Sequence, residues 1–407
     1  MKSHFKKKKL EVVKTDTSIY TDLESYLSAK FKFKYNVVSG RLFYCTIDST
    51  DYVEMGEFEF NSIVRQCNKA NIKTKTNELI QLLQSDFTPN YNPFELYLKG
   101  LPKWDGNTDY IDMCANSIQC HDQTLWGKCF KKWVIALVGS LIDDATVNHT
   151  APILCGGQGI GKTRWIGRLV PEQLKKYFFS GTININNKDS LTQLSECMLI
   201  DMDELENLGK KSIGDLKSLM TKEQILVRRP YGKMSEKLPR RASFIGSIND
   251  KEFLRDGTGS RRFLCFDVES IESVEIDIDM VFSQAVQLYK SGEQFWFDRE
   301  ETEEIEFNNE QFQKSYYEEE LLLNHFIPVN QYDADAFYST TDIARILNTR
   351  EKLSVNNTTI QHLGKVLSSK KFQRIKHKGK YCWAVKDLKE MPKLVETNNI
   401  ILEEVVF

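Results

Sequence analysis

Residues 152–163 read Pro-Ile-Leu-Cys-Gly-Gly-Gln-Gly-Ile-Gly-Lys-Thr. An apolar run that can form a buried strand leads into a full match to the pattern GxxxxGK[ST], and helix-forming residues follow. Glycines permit tight turns and let backbone N–H groups approach phosphate oxygens, and the amino end of a helix adds a favourable dipole. The stretch therefore predicts a strand, a phosphate-binding loop and a helix.

The residues predicted to cradle ATP are those of the loop: Gly156, Gly157, Gln158, Gly159, Ile160, Gly161, Lys162 and Thr163. The Lys162 ammonium is expected to reach the β- and γ-phosphates, and the Thr163 hydroxyl is expected to bind Mg²⁺. A glycine-rich loop that binds no nucleotide is the alternative, and the strand and helix patterns on either side argue against it.

An acidic segment follows the loop at residues 197–204, which read Cys-Met-Leu-Ile-Asp-Met-Asp-Glu. Phosphoryl transfer needs an acid for Mg²⁺ and a group that orients the attacking water. We expect Asp201, at the carboxyl end of an apolar strand beside the loop, to be the acid associated with Mg²⁺. Glu204 is expected to polarise the water, with Asp203 as its rival. An acidic loop after a buried strand is the alternative.

Helical and β patterns alternate through the middle of the chain. The β-rich runs are residues 152–155, 197–200, 225–229 and 243–248. Helical material between the first three predicts a mainly parallel, three-layer α/β domain over residues 105–300. Before it, short mixed patterns predict an α+β module over residues 20–104, and the lysine-rich residues 1–19 are expected to be a solvated tail.

The last part of the chain has a different order of elements. Residues 318–390 contain two helical runs, the first preceded by the N-cap signal Ser339, and then two short strands around a basic turn. This order predicts a winged-helix-like domain, followed by a tail at residues 391–407. Lys376 and Lys378 lie in the basic turn and are predicted DNA contacts. Tyr381 and Trp383 are expected to be buried in the core of this domain.

Composition excludes several classes of protein. The chain has 407 residues, of which 41% are hydrophobic and 28% charged, as in soluble proteins of two or three domains. A net charge of −2 excludes a globally basic nucleic-acid coat protein but allows a local basic face. No apolar run is long enough to span a membrane. The nine cysteines contain no CxxC pair, so we expect buried, reduced thiols in a cytoplasmic protein.

Three further segments complete a recognisable set of motifs. Residues 227–233, 247–249 and 256–263 read Val-Arg-Arg-Pro-Tyr-Gly-Lys, Ser-Ile-Asn and Asp-Gly-Thr-Gly-Ser-Arg-Arg-Phe. Together with the loop and the acidic strand, they resemble the virulence-associated protein E family over about residues 85–300. This family occurs on phages, plasmids and genomic islands, and its core resembles the AAA+ superfamily 3 helicases. The resemblance implies an AAA+ P-loop ATPase core that uses ATP and Mg²⁺.

The resemblance also implies roles for individual residues. Asn249 resembles the sensor residue that contacts the γ-phosphate or the attacking water, and a turn asparagine is the alternative. Arg261 or Arg262 resembles the arginine finger, with Arg255 as the runner-up and surface solvation as the alternative. A permanently charged guanidinium suits the charge that develops on the transferred phosphoryl group. Relatives often carry glutamate in place of Asp201, so the roles of the three acids stay open.

A basic hairpin is predicted between the acidic strand and Asn249. Residues 225–229 lead up, residues 230–233 turn, and residues 240–248 return, while residues 225–262 hold ten Lys and Arg against four Asp and Glu. By resemblance, Lys233 at the tip would contact the DNA backbone in the channel of a ring. The supporting charges would be Arg228, Arg229, Arg240 and Arg241. Such contacts do not depend on sequence. A solvated hairpin is the alternative.

These expectations describe an ATP-dependent DNA helicase or replication-initiation ATPase of a mobile genetic element. The resemblance implies a homo-oligomeric, hexameric ring on single-stranded or forked DNA, with a primase or another replication protein as a candidate partner. One alternative is a regulatory or defence ATPase that binds nucleic acid without unwinding it. A P-loop small-molecule kinase is another, and the basic hairpin and terminal wing argue against it.

Overall fold

The computed structural model describes residues 19–183, 187–202, 205, 210–228, 234–249, 253–254, 260–313 and 317–388. The chain divides into two compact units, one ending at Gln313 and the other beginning at Lys314. The predicted α+β module and the predicted α/β domain both belong to the first unit. Within the described residues, no helix is both long enough and apolar enough to cross a bilayer.

The amino-terminal part of the first unit is a small sheet with helices packed on one face. Its elements are α1 (Ile19–Lys30), β1 (Phe31–Asn36), β2 (Arg41–Thr46), β3 (Val53–Glu54), α2 (Glu57–Lys69), α3 (Thr76–Leu83), β4 (Asn90–Tyr91) and α4 (Pro93–Gly100). The strand order is β3-β2-β1-β4. Phe31, Phe33 and Leu42 of the sheet share one core with residues of α1, α2 and α3. This part of the chain therefore contains both helices and strands, as the mixed patterns predicted.

The rest of the first unit is built on a six-stranded sheet. Its elements are α5 (Tyr110–Ala115), β5 (Ile118–Cys120), α6 (Gln123–Ile142), β6 (Ala151–Cys155), α7 (Lys162–Arg168), β7 (Phe178–Ser180), α8 (Lys188–Glu196), β8 (Leu199–Met202), α9 (Lys210–Met220), β9 (Gln224–Val227), β10 (Glu236–Pro239), β11 (Ser243–Ile248), β12 (Phe263–Ile271), α10 (Ile278–Lys290) and α11 (Arg299–Asn309). The order is β5-β12-β6-β11-β8-β7, and the strands from β12 to β7 are parallel.

Helices cover both faces of this sheet. Successive side chains of a strand point to opposite faces, and in β6 Leu154 joins the core that contains residues of α6 and α10, whereas Ile153 joins the core that contains residues of α8 and α9. The predicted mainly parallel, three-layer α/β arrangement is therefore confirmed. All nine cysteines of the chain are free and buried, as expected from their apolar surroundings.

One predicted strand does not belong to the central sheet. β9 pairs antiparallel with β10 in a separate two-stranded sheet, so the hairpin returns through residues 236–239 and not through residues 240–248. β11 lies instead between β6 and β8. The burial of β9 alternates, with Ile225 and Val227 buried and Leu226 exposed. A central parallel strand is buried on both faces, and this alternation excludes that position.

The second unit follows the predicted order of helix, helix and hairpin. Its elements are α12 (Tyr317–His325), β13 (Phe326–Pro328), β14 (Ala336–Tyr338), α13 (Thr340–Glu351), α14 (Asn357–Ser369), β15 (Arg374–His377) and β16 (Lys380–Asp387). Ser339 caps α13 by accepting a hydrogen bond from the backbone N–H of Asp342, as predicted. The β15–β16 turn has positive φ at Lys378 and Gly379, which is typical of a tight hairpin.

Trp383 is buried, but Tyr381 is 64% exposed, so the predicted burial of Tyr381 is wrong. Tyr381 lies near the exposed start of β16, before the strand reaches the core.

Candidate functional site

The glycine-rich loop joins the carboxyl end of β6 to the amino end of α7. Gly159 has φ of +85° and Gly161 has φ of +98°, a region that favours glycine. A Cβ on Gly156 would lie 2.6 Å from the carbonyl oxygen of Val268, so the loop packs tightly against β12. These glycines are therefore required by the backbone path of the loop.

Lys162 is buried beneath this loop. Its Nζ donates hydrogen bonds to the carbonyl oxygens of Gly156 and Gly157, at 2.8 and 2.9 Å, and to Oδ1 of Asn249, at 3.1 Å. The ammonium is thus held at the start of α7 by the loop backbone and by a side chain 87 residues further along the chain. The sequence predicted a role for each of these two residues, and the fold brings them into contact.

Asn249 reaches the loop because β11 lies directly beside β6. Ile248 pairs with Cys155, and the backbone N–H of Gly156 donates to the carbonyl of Ile248 at 3.2 Å. The hydroxyl oxygens of Thr163 and Ser247 are 3.5 Å apart, which places a second polar group of β11 at the same edge. Ser247 belongs to the motif Ser-Ile-Asn but was given no role in the sequence analysis, although its place two residues before Asn249 puts both side chains on the same side of the chain.

Asp201 is on the next strand, β8, where it pairs with Ile245 of β11. The residue is fully buried, and its Oδ2 accepts a hydrogen bond from the Ser180 hydroxyl at 3.1 Å. Asp201 was expected beside the loop, but β11 separates the two strands, so Asn249 takes the position next to the loop. Asp203 and Glu204 lie outside the described residues.

The chemistry of these side chains fits Mg²⁺. The hydroxyl of the exposed Thr163 and the carboxylate of Asp201 are hard oxygen groups of the type that Mg²⁺ prefers, and Asp201 pairs with Ile245, four residues before Asn249. Among the described residues, no group of three or more His, Cys, Asp or Glu could hold a metal by itself. Mg²⁺ at a nucleotide site needs few protein ligands because phosphates and water supply the others.

Arg261 and Arg262 lie at the opposite edge of the sheet. They form a short 3₁₀ turn before β12, whose first residue, Phe263, pairs with Ala151 at the start of β6. The loop follows Cys155, four residues further along β6, which is about 13 Å of strand. The arginines and the loop of one chain are therefore separated by the length of the sheet. Arg255, the runner-up for the same role, is outside the described residues.

A cleft of about 400 Å³ surrounds these arginines. Its walls include His149 and the consecutive aromatic residues Phe295, Trp296 and Phe297, and Trp296 is 57% exposed. Burial lowers the pKa of His149, and the charges of Arg240 and Arg262 lower it further. Sequence reasoning did not single out this cleft. The sequence feature that could have indicated the cleft is the run Phe-Trp-Phe, which lies just before an acidic helix.

The predicted DNA contacts fall into three groups. Arg228 is exposed at the end of β9, and Lys376 and Lys378 are exposed on the β15–β16 hairpin. Arg229 and Lys233 lie outside the described residues. Arg240 and Arg241 are buried, with exposed fractions of 1% and 6%.

The burial of Arg240 contradicts its predicted contact with DNA. Its guanidinium group donates to backbone carbonyls of four residues: Asn148, Met220, Lys222 and Ala242. It also lies over the ring of Phe244, and burial lowers its pKa to about 9. Through these hydrogen bonds, Arg240 links several chain segments that meet at the base of the hairpin. The sequence did not reveal this, because an arginine next to a basic turn has the same pattern whether it faces solvent or carbonyls.

Arg241 is also unavailable to DNA. Its Nη2 donates to Oδ1 of Asp144 at 2.6 Å, and 8% of its side chain is exposed. Both arginines follow β10, at the point where the chain enters β11. They therefore lie at the base of the hairpin and not on the part of it that extends into solvent. Of the described hairpin residues predicted to contact DNA, Arg228 keeps the exposure that such a contact needs.

The family of virulence-associated protein E-like domains matches residues 98–314. This range is more than half of the chain, so the chain belongs to that family, and the resemblance seen in its motifs is confirmed. No protein among the curated sequences matches the chain. The solved structures that match the chain include two of the NrS-1 C-terminal region. The apo structure of the NrS-1 C-terminal region has a TM-score of 0.48 at 13% identity, covering 91% of this chain and 99% of that one. The A form of the same region has a TM-score of 0.45 at 13% identity, covering 90% and 98%.

Proposed function

We propose that the chain is an ATP-dependent DNA helicase or replication-initiation ATPase of a mobile genetic element, acting as a homo-oligomeric, hexameric ring. The observation that carries the proposal is the contact between Lys162 and Asn249 at the carboxyl edge of the sheet. This contact brings a cation and a polar side chain together at the loop that has the phosphate-binding sequence, as the proposed roles of the two residues require. Membership of the family implies nucleotide binding by this domain.

In this proposal the loop from Gly156 to Thr163 binds the phosphates of ATP. Lys162 exchanges its carbonyl partners for phosphate oxygens, and Asn249 contacts the γ-phosphate or the attacking water. Thr163 and Asp201 would hold Mg²⁺, which neutralises phosphate charge when bound. Glu204, or its rival Asp203, would orient the water.

The arginine finger would act on the neighbouring subunit. Arg261 and Arg262 lie at the edge of the sheet opposite their own loop, which supports a site shared between two chains. Guanidinium groups inserted in this way stabilise the charge that develops on the transferred phosphoryl group. A closed ring satisfies every such pair, because each subunit gives its finger to one neighbour and receives one from the other.

Arg228, with Arg229 and Lys233 on the same hairpin, would contact the DNA backbone in the ring, and the exposed Lys376 and Lys378 would offer a second surface. Contacts with phosphates are independent of base sequence and weaken with salt. Single-stranded or forked DNA is therefore the proposed substrate, and a primase or another replication protein remains the candidate partner.

The proposal is tested by ATP hydrolysis with and without single-stranded DNA, followed by strand displacement on a forked duplex. We expect DNA to stimulate hydrolysis and hydrolysis to drive displacement. Stimulated hydrolysis with no displacement would replace the helicase with a regulatory or defence ATPase that binds nucleic acid. Transfer of the γ-phosphate to a small molecule would make the chain a kinase and would contradict the proposal.

A further inference from the structure

The small sheet of β1 to β4 has a second face, opposite the one on which the helices pack. Cross-strand partners in a sheet share a face. Lys34 pairs with Phe43, which pairs with Glu54. In the neighbouring row, Asn36 pairs with both Arg41 and Tyr91. This face therefore carries cations and aromatic rings beside Glu54, with Asn36 and Phe43 buried, whereas Phe31 and Phe33 point into the core on the other side.

Two lysines lie directly over the rings of this face. The Nζ of Lys34 is 3.9 Å from the ring centre of Tyr52 and 4.7 Å from that of Tyr91. Lys176 approaches from the turn Glu172–Tyr177 of the same unit, and its Nζ is 4.6 Å from the ring centre of Phe43. Tyr52 and Tyr91 are each partly exposed.

Positive charge exceeds negative charge in this cluster. Arg41 is ion-paired with Glu54, whereas no ion pair among the described residues involves Lys34 or Lys176. Burial lowers the pKa of Lys34. Burial also lowers the pKa of Lys176, and although Glu54 opposes this shift, Lys34 and Arg41 add to it. The charge of Glu196 also acts on Arg41. Three cations therefore face two carboxylates, and an anion placed among them would be attracted to the excess charge.

We propose that Lys34, Arg41, Tyr52, Tyr91 and Lys176 form a second binding site, for single-stranded nucleic acid, which we call the tyrosine–lysine face. Phosphates would lie between the two ammonium groups, and bases would stack on the tyrosine rings. A sheet face that combines cations with aromatic rings is a common platform for single strands, since every base has a face that can stack. An acidic peptide would satisfy the cations but would make no comparable use of the rings. The site is separate from the loop and does not depend on ATP hydrolysis.

The first test compares two neighbouring lysines in the full chain. Lys176→Ala removes a cation of the tyrosine–lysine face, whereas Lys175→Ala removes an exposed cation that is paired with Glu172. Binding of a fluorescent oligothymidylate is measured by anisotropy without nucleotide. We expect Lys176→Ala, and Lys34→Ala with it, to bind about fivefold more weakly or worse, and the slope of log affinity against log salt to fall by about 0.7 per lost phosphate contact. Lys175→Ala should bind as the parent chain does. Equal affinities for Lys176→Ala and Lys175→Ala would overturn the proposal.

The second test concerns the rings. Tyr52→Ala should weaken binding by about fivefold or more, and Tyr52→Phe should retain it, because stacking needs the ring and not the hydroxyl. Equal binding by both variants, with unchanged melting temperatures, would contradict stacking. Displacement of the oligonucleotide by polyglutamate at a lower concentration than by unlabelled oligothymidylate would replace the nucleic acid with an acidic protein partner.

Crosslinking separates this inference from the proposed helicase. An oligonucleotide that carries bromouracil is irradiated on the full chain, and the crosslinked peptides are identified by mass spectrometry. We expect peptides that contain Tyr52 or Tyr91. Crosslinks confined to the hairpin at residues 225–240, with DNA-stimulated hydrolysis intact, would overturn the tyrosine–lysine face and leave the helicase standing. Crosslinks at the tyrosine–lysine face in a chain that hydrolyses no ATP would support the tyrosine–lysine face and contradict the proposed helicase.

Discussion

The two edges of the central sheet differ in how they are assembled. At the carboxyl edge, parallel strands bring Lys162 and Asn249 into contact, although the two residues are 87 positions apart in sequence. At the amino edge lie Arg261 and Arg262, only 12 and 13 residues after Asn249. Because β12 runs parallel to β6, the residues before β12 are at the opposite edge from the residues after β6. Closeness in sequence to Asn249 therefore does not place the arginines near the loop, and a site that uses both needs two chains.

The largest effect is expected at the carboxyl edge. Lys162→Ala should abolish ATP hydrolysis, because it removes the cation that contacts both the loop carbonyls and Asn249. Hydrolysis is measured by phosphate release, with folding checked by circular dichroism. Arg164→Ala is the matched control, since it removes an exposed cation two residues further along α7. Similar losses in the two variants would mean that the position of Lys162 under the loop has no special role.

A smaller loss is expected at Asp201, on the strand beyond β11. Asp201→Asn keeps the size of the buried side chain but removes its charge, so Mg²⁺-dependent hydrolysis should fall by about 100-fold. Nucleotide binding without Mg²⁺, measured by calorimetry, should be unchanged. Ser180→Ala, which deletes the hydroxyl that donates to Asp201, should cost less than about tenfold. Normal Mg²⁺-dependent turnover by Asp201→Asn would remove this residue from the metal site.

The smallest effect on activity is expected from two arginines near the hairpin. One variant should change the free energy of unfolding, and the other should change the binding of DNA. Arg240→Met should lower the free energy of unfolding by about 3 kcal/mol, because buried carbonyls lose their donor. Arg228→Ala should leave unfolding unchanged and weaken single-stranded DNA binding by about threefold. Denaturant unfolding and anisotropy measure the two quantities. If Arg240→Met unfolds like the parent chain but loses DNA binding, Arg240 belongs to the DNA surface after all.

The fold and the candidate site were predictable to different extents. The loop and the acidic strand follow from local patterns, because each is a strand end followed by polar residues, whereas Asn249 was expected from the resemblance to the family. The insertion of β11 between β6 and β8 was not predictable, since strand order depends on packing between distant segments. The burial of Arg240 and the tyrosine–lysine face were missed for the same reason. Charge in a sequence shows which groups are present but not which carbonyls or rings they meet.

The most direct test of the shared site mixes two inactive proteins. Arg262→Ala should lower hydrolysis by about 10³-fold while nucleotide binding persists, since a finger acts mainly in the transition state. Mixed with Lys162→Ala protein, some interfaces would join an intact loop to an intact arginine, and hydrolysis should partly return. Arg261→Ala is run in parallel, because the finger is one of these two residues. Native mass spectrometry verifies that mixed assemblies form. If they form and neither mixture regains hydrolysis, the two edges do not complete one site between neighbouring chains.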